Sequence, residues 1–135
     1  MIAARFNDDV VGRLVEGARE ELSRHGCDVE EPFWVPGAFE VPVVAQRAAA
    51  SGRFDALVVL ACIIRGGTPH FEYVSTAVTV GCEAVARTTG VPVGFGVLTV
   101  DDRVQALDRA GGGEGNKGAE AAHAAVSTAL VLRGL

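Results

Sequence analysis

The sequence predicts an α/β fold, a three-layer α-β-α sandwich around a four-stranded parallel sheet. Three observations carry that prediction. Short extended runs alternate with helical stretches four times along the chain, the order a doubly wound parallel sheet requires. The run Ala56–Ile64 is continuously apolar and rich in branched residues, as expected of a strand buried on both faces. The 135 residues are 49% hydrophobic and 21% charged, which suits one domain over residues 1–135 and is too little for two.

The elements follow in order. Met1–Phe6 is a short apolar run, with Asn7 or Asp8 able to cap the next helix. From about Asp9 to His25, Val10, Leu14, Ala18 and Leu22 form one apolar stripe, and Gly26 ends it. Val29–Val35 is the second extended piece, stopped by Pro36-Gly37, and a helix follows from about Phe39 to Ala50. After the Ala56–Ile64 strand, a glycine turn leads into a helix that opens near His70, with Pro69 suited to its first position. Val74, Val78, Cys82 and Val85 stripe that helix, and Gly90-Val91-Pro92 terminates it. Val93–Thr99 is the fourth strand. A short helix around Arg103–Ala110, a flexible loop over Gly111–Gly115 and an alanine-rich helix from about Gly118 to Leu132 complete the chain.

Composition excludes several classes. The net charge of −5 and the lack of a Lys/Arg cluster argue against a nucleic-acid partner. No apolar run reaches the ~18 residues of a membrane span, and the start Met1-Ile2-Ala3-Ala4-Arg5 does not read as a signal peptide. Cys27, Cys62 and Cys82 are odd in number and lack metal-type spacing, so they read as buried thiols of a reducing, cytoplasmic compartment. The letters GxGxxG occur at Gly113–Gly118, but after a helix and not a strand, so the dinucleotide reading fails.

The chemistry gathers at the strand ends, where ligands sit in such sheets. Arg65-Gly66-Gly67-Thr68-Pro69-His70 puts a cation, flexible backbone, a hydroxyl and an imidazole at one helix start. Unpaired amides and the helix dipole favour an anion there, and histidine transfers protons near neutral pH. A lone histidine at a helix start would merely bond locally; behind this glycine turn, the residues read as an anion and proton-transfer site. Val35-Pro36-Gly37-Ala38-Phe39-Glu40 reads equally as an ordinary strand-to-helix turn and as the wall of a flat pocket for a polar ring. Trp34 reads as packing and Cys62 as a small apolar residue, since no base is specified beside it. Arg109 and Lys117 flank the glycine loop and can present positive charge to an anion, including one on another copy. The small residues of the last helix suit close helix packing or an oligomer.

Ala4-Arg5-Phe6-Asn7, Val35–Glu40, Ile64–Val74, Pro92–Thr99, Gln105–Gly111 and Asn116-Lys117-Gly118 stand together in one order over nearly the whole chain. Singly weak and specific in series, they resemble the lumazine synthase family, whose fold is flavodoxin-like. The resemblance implies condensation of 5-amino-6-(D-ribitylamino)uracil with 3,4-dihydroxy-2-butanone 4-phosphate. The products are 6,7-dimethyl-8-ribityllumazine, phosphate and water, formed in riboflavin biosynthesis with no cofactor and no metal. By the same match, Phe6 stacks on the pyrimidine, and Ala38, Phe39, Glu40, Cys62, Ile63 and Ile64 line the uracil and ribityl pocket. Gly67 and Thr68 hold the phosphate, and His70 is the catalytic proton-transfer residue. Phe95 and Arg109 come from the neighbouring subunit, Arg109 on the phosphate with Lys117 close by and Glu120 orienting a member of the site.

Assembly is also implied. A compact loop such as Gly111–Gly115 accompanies sixty-subunit icosahedral shells in the family, and insertions accompany free pentamers. A pentamer is therefore the expected minimal unit, with a shell as the larger form the loop permits. Members usually carry a longer N-terminal extension that pairs with a neighbour's sheet, whereas this sequence opens on its first strand, as a shortened or differently started chain would. Two rival readings remain: an archaeal-type riboflavin synthase, and a non-catalytic flavin- or nucleotide-binding or cage protein of the same fold.

Overall fold

Strand β1 (Ile2–Ala4) runs through the centre of the sheet with all three residues buried. In the computed structural model, which describes residues 1–135, it is flanked by β2 (Phe33–Val35) and β3 (Leu57–Ile64), with β4 (Val93–Val100) outermost. Every pairing in this sheet is parallel and the order is β2-β1-β3-β4. Leu57–Cys62 is buried without a break, which accounts for the unbroken apolar run in the sequence.

Helices cover both faces. Helix α1 (Asp8–Arg24) packs on one face with α4 (Arg103–Arg109) and α5 (Lys117–Arg133), closing a core that includes Leu14, Leu60, Leu98 and Ala122. Helices α2 (Val41–Ala50) and α3 (His70–Thr89) cover the other, over Ile2, Val41, Val59, Val78 and Val85. Right-handed crossovers require this split, because β1 to β2 runs one way across the sheet while β2 to β3 and β3 to β4 run the other. The three-layer prediction holds. Gly94 lets α5 sit directly on β4: a Cβ there would lie 2.1 Å from the Ala121 carbonyl oxygen.

Several boundaries differ from the sequence reading. Strand β2 begins at Phe33, not Val29, because Pro32 has no N–H for the ladder and pairing starts where the Phe33 N–H donates to the Met1 carbonyl at 3.0 Å. Ala38–Glu40 forms a single 3-10 turn before α2 proper. Pro69 precedes α3 as its cap, which makes His70 the first helical residue. The glycine stretch is not an open loop but a hairpin, β5 (Ala110–Gly112) with β6 (Gly115–Asn116). Gly111 takes φ 99 there, a backbone state other residues avoid. Asn116 then caps α5, its Oδ1 accepting from the Gly118 and Ala119 amides at 2.9 and 3.1 Å. Cys62 and Cys82 are buried as expected, but Cys27 is only half-buried, beyond the end of α1. No helix is long and apolar enough to cross a membrane.

Candidate functional site

The crossovers of β1 and β3 leave in opposite directions, and the crevice between their carboxyl ends is where ligands lodge in open α/β sheets. Asn7 bridges it. With φ 60 and ψ 45 it sits in the left-handed region, where asparagine is tolerated. Its side chain does not cap α1, as the sequence suggested; its Nδ2 donates to the Cys62 carbonyl at 2.9 Å. The Arg5 and Phe6 amides donate to the Val35 and Pro36 carbonyls at 2.9 and 3.2 Å, so the ends of β1, β2 and β3 are tied together.

Above this junction opens a cavity of about 480 Å³, a size that suits a small organic ligand. Phe6 and Phe39, 73% and 64% exposed, stand at its rim. Gly37, Ala38 and Glu40 form one wall, and Cys62, Ile63 and Ile64 another. His70, Tyr73 and Val74 of α3 close it. Glu40 steadies its own turn, since its Oε2 accepts the Gly37 N–H at 2.9 Å. Burial pushes the Cys62 thiol up to about 11, which keeps it protonated at neutral pH and unfit as a nucleophile. The walls are mostly apolar, two aromatic faces lie open, and an imidazole heads the helix. A flat heteroaromatic ring fits that description, with a proton carrier beside it.

The turn before His70 is furnished differently from its sequence reading. Arg65 is not free to serve an anion: it is paired with Glu72, donates to Asp101 Oδ1 at 3.0 Å, and lies 4.2 Å over the Phe71 ring. Those carboxylates hold the guanidinium in its charged form. Gly66, Gly67 and Thr68 are exposed, and a Cβ at either glycine would meet nothing within 4 Å. Neither glycine has a left-handed φ. Gly67 and Thr68 sit beside the cavity, upstream of His70, and do not line it.

A second cavity of about 540 Å³ follows β4, one of the sheet's two edge strands, and the start of α5. Phe95, 41% exposed, Thr99, Arg109, Lys117 and Glu120 line it, over Ala121 and Ala124. The Lys117 ammonium is held by Glu120 at 2.8 Å. Arg109 is half-buried and pairs with no carboxylate; its Nη1 donates only to the Gln105 carbonyl at 3.2 Å. The two cavities share no residue.

The structure therefore gathers Phe6, Ala38, Phe39, Glu40, Cys62, Ile63, Ile64 and His70 into one cavity and Phe95, Arg109 and Lys117 into another. Tyr73 and Val74 also line the first, and sequence reading had not singled out either as part of a site. The available signal was their spacing, three and four residues beyond His70 on one helix face.

The family model described as 6,7-dimethyl-8-ribityllumazine synthase matches residues 1–133. A protein of that description from Nitratidesulfovibrio vulgaris (strain Miyazaki F) is 50% identical, covering 100% of this chain and 88% of the relative. Its counterpart from the Hildenborough strain is 49% identical with the same coverage.

Proposed function

The chain belongs to the 6,7-dimethyl-8-ribityllumazine synthase family, and on that premise we propose how its residues divide the work of the reaction. The enzyme condenses 5-amino-6-(D-ribitylamino)uracil with 3,4-dihydroxy-2-butanone 4-phosphate in riboflavin biosynthesis, releasing phosphate and water. The first cavity takes the uracil, with Phe6 against the ring, Ala38, Phe39 and Glu40 along one edge, and Cys62, Ile63 and Ile64 beneath. His70 moves protons as the amine adds to the ketone, phosphate leaves and the ring closes. No strong nucleophile is needed, which agrees with the protonated Cys62 thiol. Much of the acceleration comes from holding two substrates together.

The phosphate belongs at the turn. Gly67 and Thr68 offer bare amides and a hydroxyl at the start of α3, where negative charge is favoured. Neither backbone strain nor packing within the chain calls for glycine at position 67, so the open space above it is room for a guest. Arg65 being paired, the cation comes from elsewhere. Arg109 without a carboxylate partner is the observation that carries this reading, with Phe95 and Lys117 beside it. Because these residues line a cavity separate from His70's, the complete site forms when β4 of one copy meets the first cavity of another. The assembly is then a pentamer or larger, with a sixty-subunit shell as its closed form, and works in the cytoplasm on small molecules.

Two measurements test this. An assay with both substrates, followed by lumazine absorbance and phosphate release, must give turnover; ligand binding without turnover would identify a relic pocket. Co-assembling His70→Ala with Arg109→Ala chains tests sharing, because about a quarter of the sites at random mixing would draw both intact residues from different copies. With the phosphate substrate well below its Michaelis constant, recovery of activity above either variant alone is the expected result, and no recovery in demonstrably mixed oligomers would refute the shared site.

A further inference from the structure

Two of the three histidines of the chain take no part in the chemistry above, and they lie together. Helix α1 leaves the carboxyl end of β1 and runs back along the sheet, so its last turns lie at the opposite end from the first cavity. There Glu21 and His25, one helical turn apart, meet His123 of α5. We propose that Glu21, His25 and His123 form a binding site for a divalent late first-row transition metal ion, of which zinc is the test case.

The donor geometry carries the argument. Glu21 Oε1 lies 3.1 Å from His25 Nε2 and 3.2 Å from His123 Nδ1. All three donor atoms fall within 4.8 Å of one another. A tetrahedral ion with bonds of ~2.0–2.2 Å separates its ligand atoms by roughly 3.3–3.5 Å. Two edges of that tetrahedron are nearly formed, and the third needs only a small approach of two rings whose centroids are 5.4 Å apart at 50°. The remaining position is left to water.

The surroundings support the carboxylate. The Glu21 side chain is 16% exposed, beneath the two more open imidazoles. Its carboxyl is held below the usual range, chiefly by the His123 hydrogen bond, with His25 and Arg24 adding to it. Arg24 Nη1 donates to Oε2 at 3.0 Å, which leaves Oε1 turned toward both rings. Its positive charge works against an incoming cation and is partly offset by Glu20, 3.7 Å away. Two imidazoles and one carboxylate select zinc, copper or nickel over magnesium or calcium. The bound ion would clasp α1 to α5 across 102 positions of sequence and stabilise the fold by binding only the native state.

The test uses the whole protein, stripped with a chelator and titrated with zinc by calorimetry and with cobalt(II) by absorption. One equivalent per chain should bind, with the visible bands of cobalt in a low-symmetry nitrogen and oxygen site. His25→Ala and His123→Ala should each weaken zinc binding by at least about tenfold and abolish the cobalt bands. Both should form lumazine at the parent rate and melt, without metal, close to the parent temperature. Cys27→Ser, which removes the only thiol that is not buried, should leave zinc affinity unchanged. The proposal falls if no saturable equivalent binds, if binding survives both histidine substitutions, or if it depends on Cys27.

Discussion

The two cavities are built from different materials. The first lies where three strand ends are cross-tied by backbone hydrogen bonds and by Asn7, and it is walled by aromatic and aliphatic groups. The second lies along an unpaired strand edge, shaped by how closely α5 approaches β4, and holds a half-buried arginine without a carboxylate partner. One is suited to a flat ring and the other to an anion. Neither suits both, and the proposal that two copies share one site rests on that difference.

The comparison breaks most severely at Gly94. Gly94→Ala would press a methyl group against the Ala121 carbonyl, and overpacking of that kind costs ~3 kcal/mol or more. Urea denaturation should register the loss, together with damage to the second cavity, whose far wall is α5. Gly67→Ala is the counterpart. Its Cβ meets nothing, so stability should change by less than about 0.5 kcal/mol, while the Michaelis constant for the phosphate substrate rises. Equal stability losses in the two variants would remove the distinction between a packing glycine and a ligand glycine.

Next in size are the two functional side chains. His70→Ala should lower kcat about a hundredfold, the lower end of general acid–base contributions, with little change in either Michaelis constant. Arg109→Ala should act the other way, raising the Michaelis constant for the phosphate substrate by about tenfold or more, as expected when a charged hydrogen-bond partner is lost, and leaving the uracil largely unaffected. Stopped-flow and steady-state kinetics separate these effects. A histidine variant with full activity would end its assigned role.

The first cavity was the more legible of the two in the sequence. Its parts sit at strand ends, and strand ends follow from apolar runs and glycine punctuation, as with Ala56–Ile64 before Arg65. The second was legible only in part: Arg109 and Lys117 stand out as cations flanking the glycine loop, but Phe95 joins them only through the family resemblance, because no local pattern encodes the packing of α4 and α5 beside β4 that puts all three around one cavity. Long-range pairing hid other features. Asp101, thirty-six positions from Arg65, takes that cation out of the anion site, and Cys62 draws the Asn7 side chain away from capping. The glycines of Gly111–Gly115 predict a loop and not the hairpin of Ala110–Asn116, because glycine signals a turn without saying whether its flanks pair.

The smallest predicted effect tests the chemistry of the first cavity directly. Burial raises the Cys62 thiol from 9.0 to about 11, and Cys82 likewise. Below the unfolded value both states hold the proton, so the contribution to stability is fully present at neutral pH. Above it the unfolded chain releases protons first, and the folded state loses stability as pH rises from about 9 toward about 11. The same shift protects the thiol from reagents, because the thiolate is the reactive form. At pH 8 a small alkylating agent should therefore modify Cys27, which is half-buried, well before Cys62 or Cys82, as mass spectrometry of peptides would read. Occupying the first cavity with a uracil analogue should slow Cys62 further and leave Cys27 unchanged. If Cys62 instead reacted first at neutral pH, the cavity would contain an activated thiol. The division into a ring-binding surface without a nucleophile and an anion-binding surface with a cation would then fail at its first half.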